Sequence, residues 1–188
     1  MVTIAVLAIF VTIAAPGFED LRERSAVRGA SEGFVALLAQ ARFESARRNQ
    51  PVSIAVSRDG DNWCAGAVLG AATSCDCFEK DPSASGYCAL GQFPEQDAND
   101  ALSGPTQARR GNRRTRLLAT PDFGGDGVLT FDPKLGMLTQ ITDAGTIVLR
   151  SPSDGYDFRL AMTISPAGRT WACVPAGARA LAGYKPCA

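Results

Sequence analysis

Histidine is absent from the 188 residues of this sequence, and lysine occurs only three times. The lack of histidine excludes a Ser-His-Asp triad, a Cys-His nucleophile pair and a His-ligated zinc site. The scattered Asp, Glu and Ser residues form no catalytic pattern. Asp122 and Asp126 suggest the start of a calcium loop, but the last position of an EF-hand count falls on Pro133, which has no carboxylate. We therefore expect no enzymatic activity, no metal site and no cofactor.

Net charge is also absent, because 19 basic and 19 acidic residues cancel. This balance argues against a uniformly basic nucleic-acid binder, but the charge is unevenly distributed. Apart from the three lysines every cation is an arginine, and five arginines lie within residues 109–116. The plain interpretation is a solvated loop neutralised by the acidic residues Glu95, Asp97 and Asp100. The alternative is a phosphate-binding patch, since a guanidinium binds phosphate through two parallel hydrogen bonds.

The six cysteines include no Cys-x-x-Cys pair, which disfavours a zinc or redox motif. Six cysteines fit three disulfides in an oxidising compartment. Cys173 and Cys187 enclose a loop rich in Gly, Pro and Ala, and we expect a disulfide to close it. The other four, Cys64, Cys75, Cys77 and Cys88, are candidates for stapling an irregular segment. Cys64 with Cys88 is one option, a Cys75–Cys77 bond would be strained, and the connectivity stays open.

No charged residue occurs in residues 1–15, which form an apolar run. As a helix this run covers about 22 Å, whereas a bilayer core of about 30 Å needs roughly 20 residues. Apolar residues continue at helical spacing from Phe18 and Leu21 to Ala41, opposite a charged face. The pattern predicts one helix over residues 1–49, with a kink at Pro16 and Gly17.

From residue 50 to residue 188 the apolar period changes from helical to alternating, which predicts a β-rich head. Strands are expected at residues 52–57, 63–69, 116–118, 128–131, 137–142, 146–150, 158–164 and 169–174. Residues 71–116 break the pattern and form a predicted loop insertion. One helix followed by an antiparallel meander defines an α+β fold with the helix laid on the sheet.

These features resemble a known family. The apolar run, the proline at position 16 and the long amphipathic helix are similar to the N-terminal helix of type IV pilins and type II secretion pseudopilins. The head carries Trp-Cys-Ala-Gly at residues 63–66, Phe-Asp-Pro-Lys-Leu-Gly at 131–136 and Gly-Arg-Thr-Trp-Ala-Cys at 168–173. Their order resembles minor pilins and pseudopilins of the GspH/FimT type. We expect Trp63 and Trp171 to be core or helix-facing anchors rather than ligand-stacking residues, and Gly66, Gly136 and Gly168 to occupy positive-φ or close-packed positions.

The resemblance implies a filament subunit: a minor type IV pilin that helps initiate or cap a pilus, or alternatively a type II secretion minor pseudopilin. It implies an inner-membrane anchor with a periplasmic head, later part of a pilus or pseudopilus, and contacts with other pilins or pseudopilins through the helix. The family's Phe-Thr-Leu-Ile-Glu-Leu-like hexamer and basic leader do not precede residue 1. We expect that the chain starts late, since the added hexamer would give a membrane-spanning length.

DNA is a further candidate partner, because FimT-like minor pilins are implicated in DNA uptake through a Gly-Arg-x-Arg motif. Residues 168–171 read Gly-Arg-Thr-Trp, so the first arginine is present and the second is not. Two sets of arginines are thus candidates for DNA binding. The cluster in residues 109–116 contributes Arg109, Arg110, Arg113, Arg114 and Arg116, and the partial motif contributes Arg169.

Overall fold

A single helix precedes all the strands. The computed structural model describes residues 2–71, 73–79, 81–94, 115–118, 123, 126–153 and 155–187, with side chains from residue 17 onward. Helix α1, Val2–Arg48, contains 47 residues and is about 70 Å long at 1.5 Å per residue. Asn49 ends it in a left-handed conformation (φ 51°), which asparagine tolerates.

Helix α1 is continuous through Pro16 and Gly17, so the kink stays a prediction. Within the described residues, no helix contains an apolar stretch long enough to cross a membrane.

The described strands form two four-stranded sheets, and all neighbouring strands in each sheet are antiparallel. The first sheet has the order β3-β2-β1-β5 and the second has the order β4-β6-β7-β8. The strands are β1 Val52–Asp59, β2 Asn62–Leu69, β3 Gly91–Phe93, β4 Arg116–Leu117, β5 Val128–Phe131, β6 Gly145–Arg150, β7 Arg159–Ile164 and β8 Thr170–Cys173.

The helix-on-antiparallel-sheet fold is as predicted, but three details of the strand prediction are wrong. Residues 137–142 do not form a strand: Leu138 makes one bridge to Phe131, and Ile141–Asp143 is a short 3-10 helix. Strand β3 lies inside the segment that was expected to be an irregular insertion. The strands are also not one meander, because β5 returns to pair with β1.

The core lies between α1 and the inner faces of both sheets. Phe34 and Leu38 of the helix are fully or almost fully buried in one cluster with Leu129 of the first sheet and Leu160 of the second. Trp63 is fully buried, packs edge-on against Phe34 and donates a hydrogen bond from Nε1 to Thr115 Oγ1 (3.1 Å). The core position predicted for Trp63 is therefore confirmed.

Trp171, in contrast, is half exposed, so its predicted core position is wrong. It is paired with Thr163, while the buried neighbours Met162 and Ile164 point to the opposite face of β7. Because side chains alternate between faces, Trp171 lies on the outer face of the second sheet.

Three disulfides crosslink the head: Cys64–Cys77, Cys75–Cys88 and Cys173–Cys187. The optional Cys64–Cys88 pairing is wrong, because Cys88 is bonded to Cys75. Gly66 explains part of this arrangement, since a Cβ at this position would overlap the Sγ of Cys88. Close packing was one of the two roles predicted for Gly66. The first two disulfides share a small buried cluster with Phe78 and Ala55, separate from the main core.

Candidate functional site

Helix α1 is fixed to the head by a cluster around Phe158, which we call the helix–head junction. Phe158 is fully buried, and the guanidinium carbons of Arg24 and Arg179 lie 5.0 Å and 4.7 Å from its ring centroid. Asp20 forms ion pairs with both arginines, at 2.6 Å and 3.3 Å. The ring therefore packs against two cations whose charges are partly balanced by one carboxylate.

Two glutamates extend this junction on the same part of α1. Glu23 is almost fully buried and accepts a 2.7 Å hydrogen bond from Ser153 Oγ. The Tyr156 hydroxyl donates to Glu19 Oε2 at 3.3 Å. Burial and this hydrogen bond, with the neighbouring carboxylates, raise the pKa of Tyr156. The phenol therefore stays protonated and keeps its donor role at neutral pH.

The C-terminal segment also contacts the helix. Arg28 donates a hydrogen bond to the carbonyl of Ala182, and its guanidinium lies 5.9 Å from the ring centroid of Tyr184. Leu181 is buried in the main core. The Cys173–Cys187 disulfide closes this segment onto β8. The head thus holds α1 through residues distant in the sequence.

Two large apolar side chains of α1 at the level of the helix–head junction remain outside this packing. Phe18 is 70% exposed and Leu21 is 62% exposed. They are three residues apart and so lie on the same side of the helix. From residue 17 the helical backbone continues to Val2, adding about 22 Å of helix. An exposed apolar pair on a long, firmly held helix is suited to packing against another apolar helix.

The candidate DNA-binding arginines are only partly described. Arg109, Arg110, Arg113 and Arg114 lie outside the described residues. Arg116 is paired with Arg150 in β6 and approaches Asp61 at 3.8 Å, whereas Arg169 precedes Thr170 at the other end of the second sheet. Strands β6 and β7 are six residues long, so the two arginines are separated by roughly 17 Å along the strands. The structure does not bring Arg116 and Arg169 together.

A metal site is not evident in the part of the chain that the structure describes, where no group of three His, Cys, Asp or Glu side chains is suitably arranged. Asp143 is a buried carboxyl, and burial raises its pKa, although the Thr130 amide donates a hydrogen bond to it.

The contacts of the helix–head junction were not predicted from the sequence, because they join residues that are far apart in it. Glu23 and Ser153 are separated by 130 positions, and Glu19 and Tyr156 by 137. The local signal in this region was the Asp20/Arg24 spacing on α1, which predicts an ion pair on one helix and gives no information about the head.

The fold is pilin-like: a long N-terminal helix packs along part of its length against an antiparallel head, and apolar residues are exposed where the helix leaves the head. The family model of the type II transport protein GspH matches residues 30–168, which is well over half of the chain. The protein belongs to this GspH family.

Among solved structures, the type IV minor pilin FimU of Pseudomonas aeruginosa matches with 22% sequence identity and a TM-score of 0.46. The match covers 80% of this chain and 90% of the FimU chain. Comparison with curated proteins gives no significant match.

Proposed function

We propose that this protein is a minor type IV pilin, a structural subunit that helps to initiate or cap a pilus. In this proposal residues 1–49 act as membrane anchor and then as filament core, and residues 50–188 form the head. The helix is held in the inner membrane before assembly, with the head in the periplasm. The three disulfides support a periplasmic head, because such bonds form and persist in oxidising compartments.

The observation that carries the proposal is the exposed pair Phe18 and Leu21 on a helix held firmly by its own head. The two side chains are neighbours on a side of the helix that its own head leaves uncovered, so a second surface is needed to bury them. Burying the exposed parts of the two side chains against a neighbouring subunit's helix would contribute about 1–2 kcal/mol each.

Charge substitution on the helix tests this proposal. Full-length protein carrying Phe18→Asp with Leu21→Asp is expressed in a host strain that lacks the wild-type gene. We expect a normal steady-state level of the protein, loss of its incorporation into sheared pili, and fewer pili per cell. The matched control is Ile141→Asp, because Ile141 is a 79% exposed apolar residue on the head. Equal incorporation of the wild-type protein and the double variant would contradict the proposal.

A type II secretion minor pseudopilus is the second candidate, and the family description favours it. The helix would have the same role in either filament, so residues on α1 do not separate the two systems. Deletion of the gene separates the two systems. Loss of surface pili with normal export of folded enzymes supports the pilus, and loss of enzyme export with normal surface pili supports the secretion system.

A further inference from the structure

A groove separates the C-terminal part of α1 from two loops of the head. Arg42 and Phe43 of the helix line one side, Lys134 and Leu135 line the second, and Arg169 and Thr170 line the third. Its volume is about 710 Å³. We call it the basic groove.

Two glycines allow the loops to approach closely at the basic groove. Gly136 and Gly168 have φ angles of 60° and 71°, in the left-handed region that favours glycine. A Cβ at Gly136 would lie 2.8 Å from Arg42 Nε, and a Cβ at Gly168 would lie 2.7 Å from the Gly136 carbonyl oxygen. A side chain at either position would therefore push a groove wall away.

The three cations of the basic groove have no carboxylate partner among the described residues. Two carboxylates lie close in the sequence, but both are engaged elsewhere. Glu44 accepts hydrogen bonds from Arg47 and Arg48, which lower its pKa to about 2. Asp132 Oδ1 accepts hydrogen bonds from the backbone amides of residues 134 and 135. The groove is therefore positively charged and complementary to an anionic ligand.

Apolar contacts are available beside these cations. Phe43 is 65% exposed and Leu135 is 70% exposed. A phosphate group or a nucleic-acid backbone gains nothing from an exposed leucine, whereas a peptide can place apolar side chains against both residues.

A sheet edge forms the third part of the groove. Strand β8 is the last strand of its sheet, and its residues include neither a charge nor a proline to protect the edge. The Ser165 amide donates to the Arg169 carbonyl, so the next pair, Ile164 and Thr170, is not hydrogen-bonded. The N–H and C=O of Thr170 therefore point away from β7, and within the described part of the chain no group bonds them.

From these three observations we propose that the basic groove binds an extended, acidic segment of a partner protein that also carries apolar side chains. Its carboxylates pair with Arg42, Lys134 and Arg169, its apolar residues cover Phe43 and Leu135, and its backbone bonds Thr170 at the edge of β8. Binding at the basic groove does not depend on how α1 packs in a filament.

Peptide binding by the full chain in mild detergent tests this interface. The probe is a fluorescent short peptide in which glutamates alternate with leucine and phenylalanine, and the reference probe has glutamine at each glutamate. The groove variant is Lys134→Glu with Arg169→Glu, and the matched control is Arg22→Glu with Lys185→Glu, which changes the charge equally at exposed sites outside the groove. Binding is measured by fluorescence anisotropy.

We expect the acidic peptide to bind more tightly than the glutamine peptide. The groove variant should bind the acidic peptide about tenfold more weakly, while the control variant changes affinity less than about twofold. Leu135→Ser should weaken binding by about threefold, and Ile141→Ser should not. Equal binding of the two peptides, or an equal loss in the groove and control variants, overturns the proposal. Binding of a DNA duplex that depends on Lys134 and Arg169, without peptide binding, also overturns it and assigns the groove to nucleic acid.

Discussion

Removal of the Cys173–Cys187 disulfide should loosen the head's hold on α1. The two cysteines are 14 positions apart, and a crosslink closing a loop of this length stabilises the folded chain by about 3 kcal/mol through the entropy of the unfolded state. We therefore expect Cys173→Ala with Cys187→Ala to lower the free energy of unfolding by about that amount. For a chain of this size, the melting temperature should fall by about 6–12 °C.

Removal of the disulfide should weaken the contacts with helix α1 as well as the structure next to the bond. Between the two cysteines lie Arg179, which packs on Phe158 and pairs with Asp20, and Ala182, which accepts a hydrogen bond from Arg28. Thermal unfolding of the full chain in detergent can be followed by tryptophan fluorescence, to which the buried Trp63 and the half-exposed Trp171 both contribute. Amide hydrogen exchange then reports whether residues 174–187 open before the rest of the head.

A small effect of the double variant would contradict this expectation. A change in the free energy of unfolding below about 1 kcal/mol, with unchanged amide exchange in residues 174–187, would show that buried Leu181 and the arginine contacts hold the segment without the crosslink. The control is Cys75→Ala with Cys88→Ala, which removes a buried disulfide of similar span that has no part in the helix–head junction. This control should be destabilised while residues 174–187 keep their protection from exchange.

Three further outcomes are expected. Gly66→Ala should destabilise the protein by about 1–3 kcal/mol or prevent formation of the disulfides beside it, because the added Cβ would overlap Cys88. Gly29→Ala has open space around it and should stabilise the protein by about 0.5–1 kcal/mol. Chemical unfolding measures the stability of both variants, and thiol titration measures disulfide formation. Burial raises the pKa of Asp143, so Asp143→Asn should be more stable than the wild type at neutral pH, and this advantage should disappear below pH 3.8, where the wild-type carboxyl is also neutral; melting curves against pH test it. Binding of DNA through the arginines at 109, 110, 113, 114 and 116 predicts a gel shift that becomes weaker and less salt-dependent when all five are replaced by alanine, and an unchanged shift excludes the cluster.

Helices and strands in which apolar residues recur at regular spacing were predictable from the sequence. Helix α1 was visible because its apolar residues recur at helical spacing as far as Ala41, and residues 49–51 stop it. The β1–β2 hairpin was visible because alternating residues flank the turn at residues 60 and 61. Both signals are local, and local signals need no knowledge of the rest of the chain.

Other features depended on contacts that a local pattern does not contain. Residues 137–142 alternate like a strand, yet Asp132 binds the amides of residues 134 and 135 and turns the chain back toward β5. β3 has only three residues, and pairing with β2 rather than its own apolar pattern defines it. The disulfide partners were also undecided, because Cys75 and Cys77 are nearly equivalent in sequence, and only the folded chain shows that Cys77 meets Cys64 and Cys75 meets Cys88.

The apolar stripe of α1 is not a single face in the structure. Phe18 and Leu21 were expected on the same packing face as Phe34 and Leu38, but at 3.6 residues per turn Phe18 lies roughly opposite Phe34 on the helix. The structure buries Phe34 and Leu38 and leaves Phe18 and Leu21 largely exposed. At the level of Phe18 and Leu21 the side of α1 that meets the head carries Asp20, Glu23 and Arg24, so the two apolar side chains face away from it. Their own head cannot cover this side of the helix, and a second apolar surface, such as the helix of a neighbouring subunit, is suited to cover it.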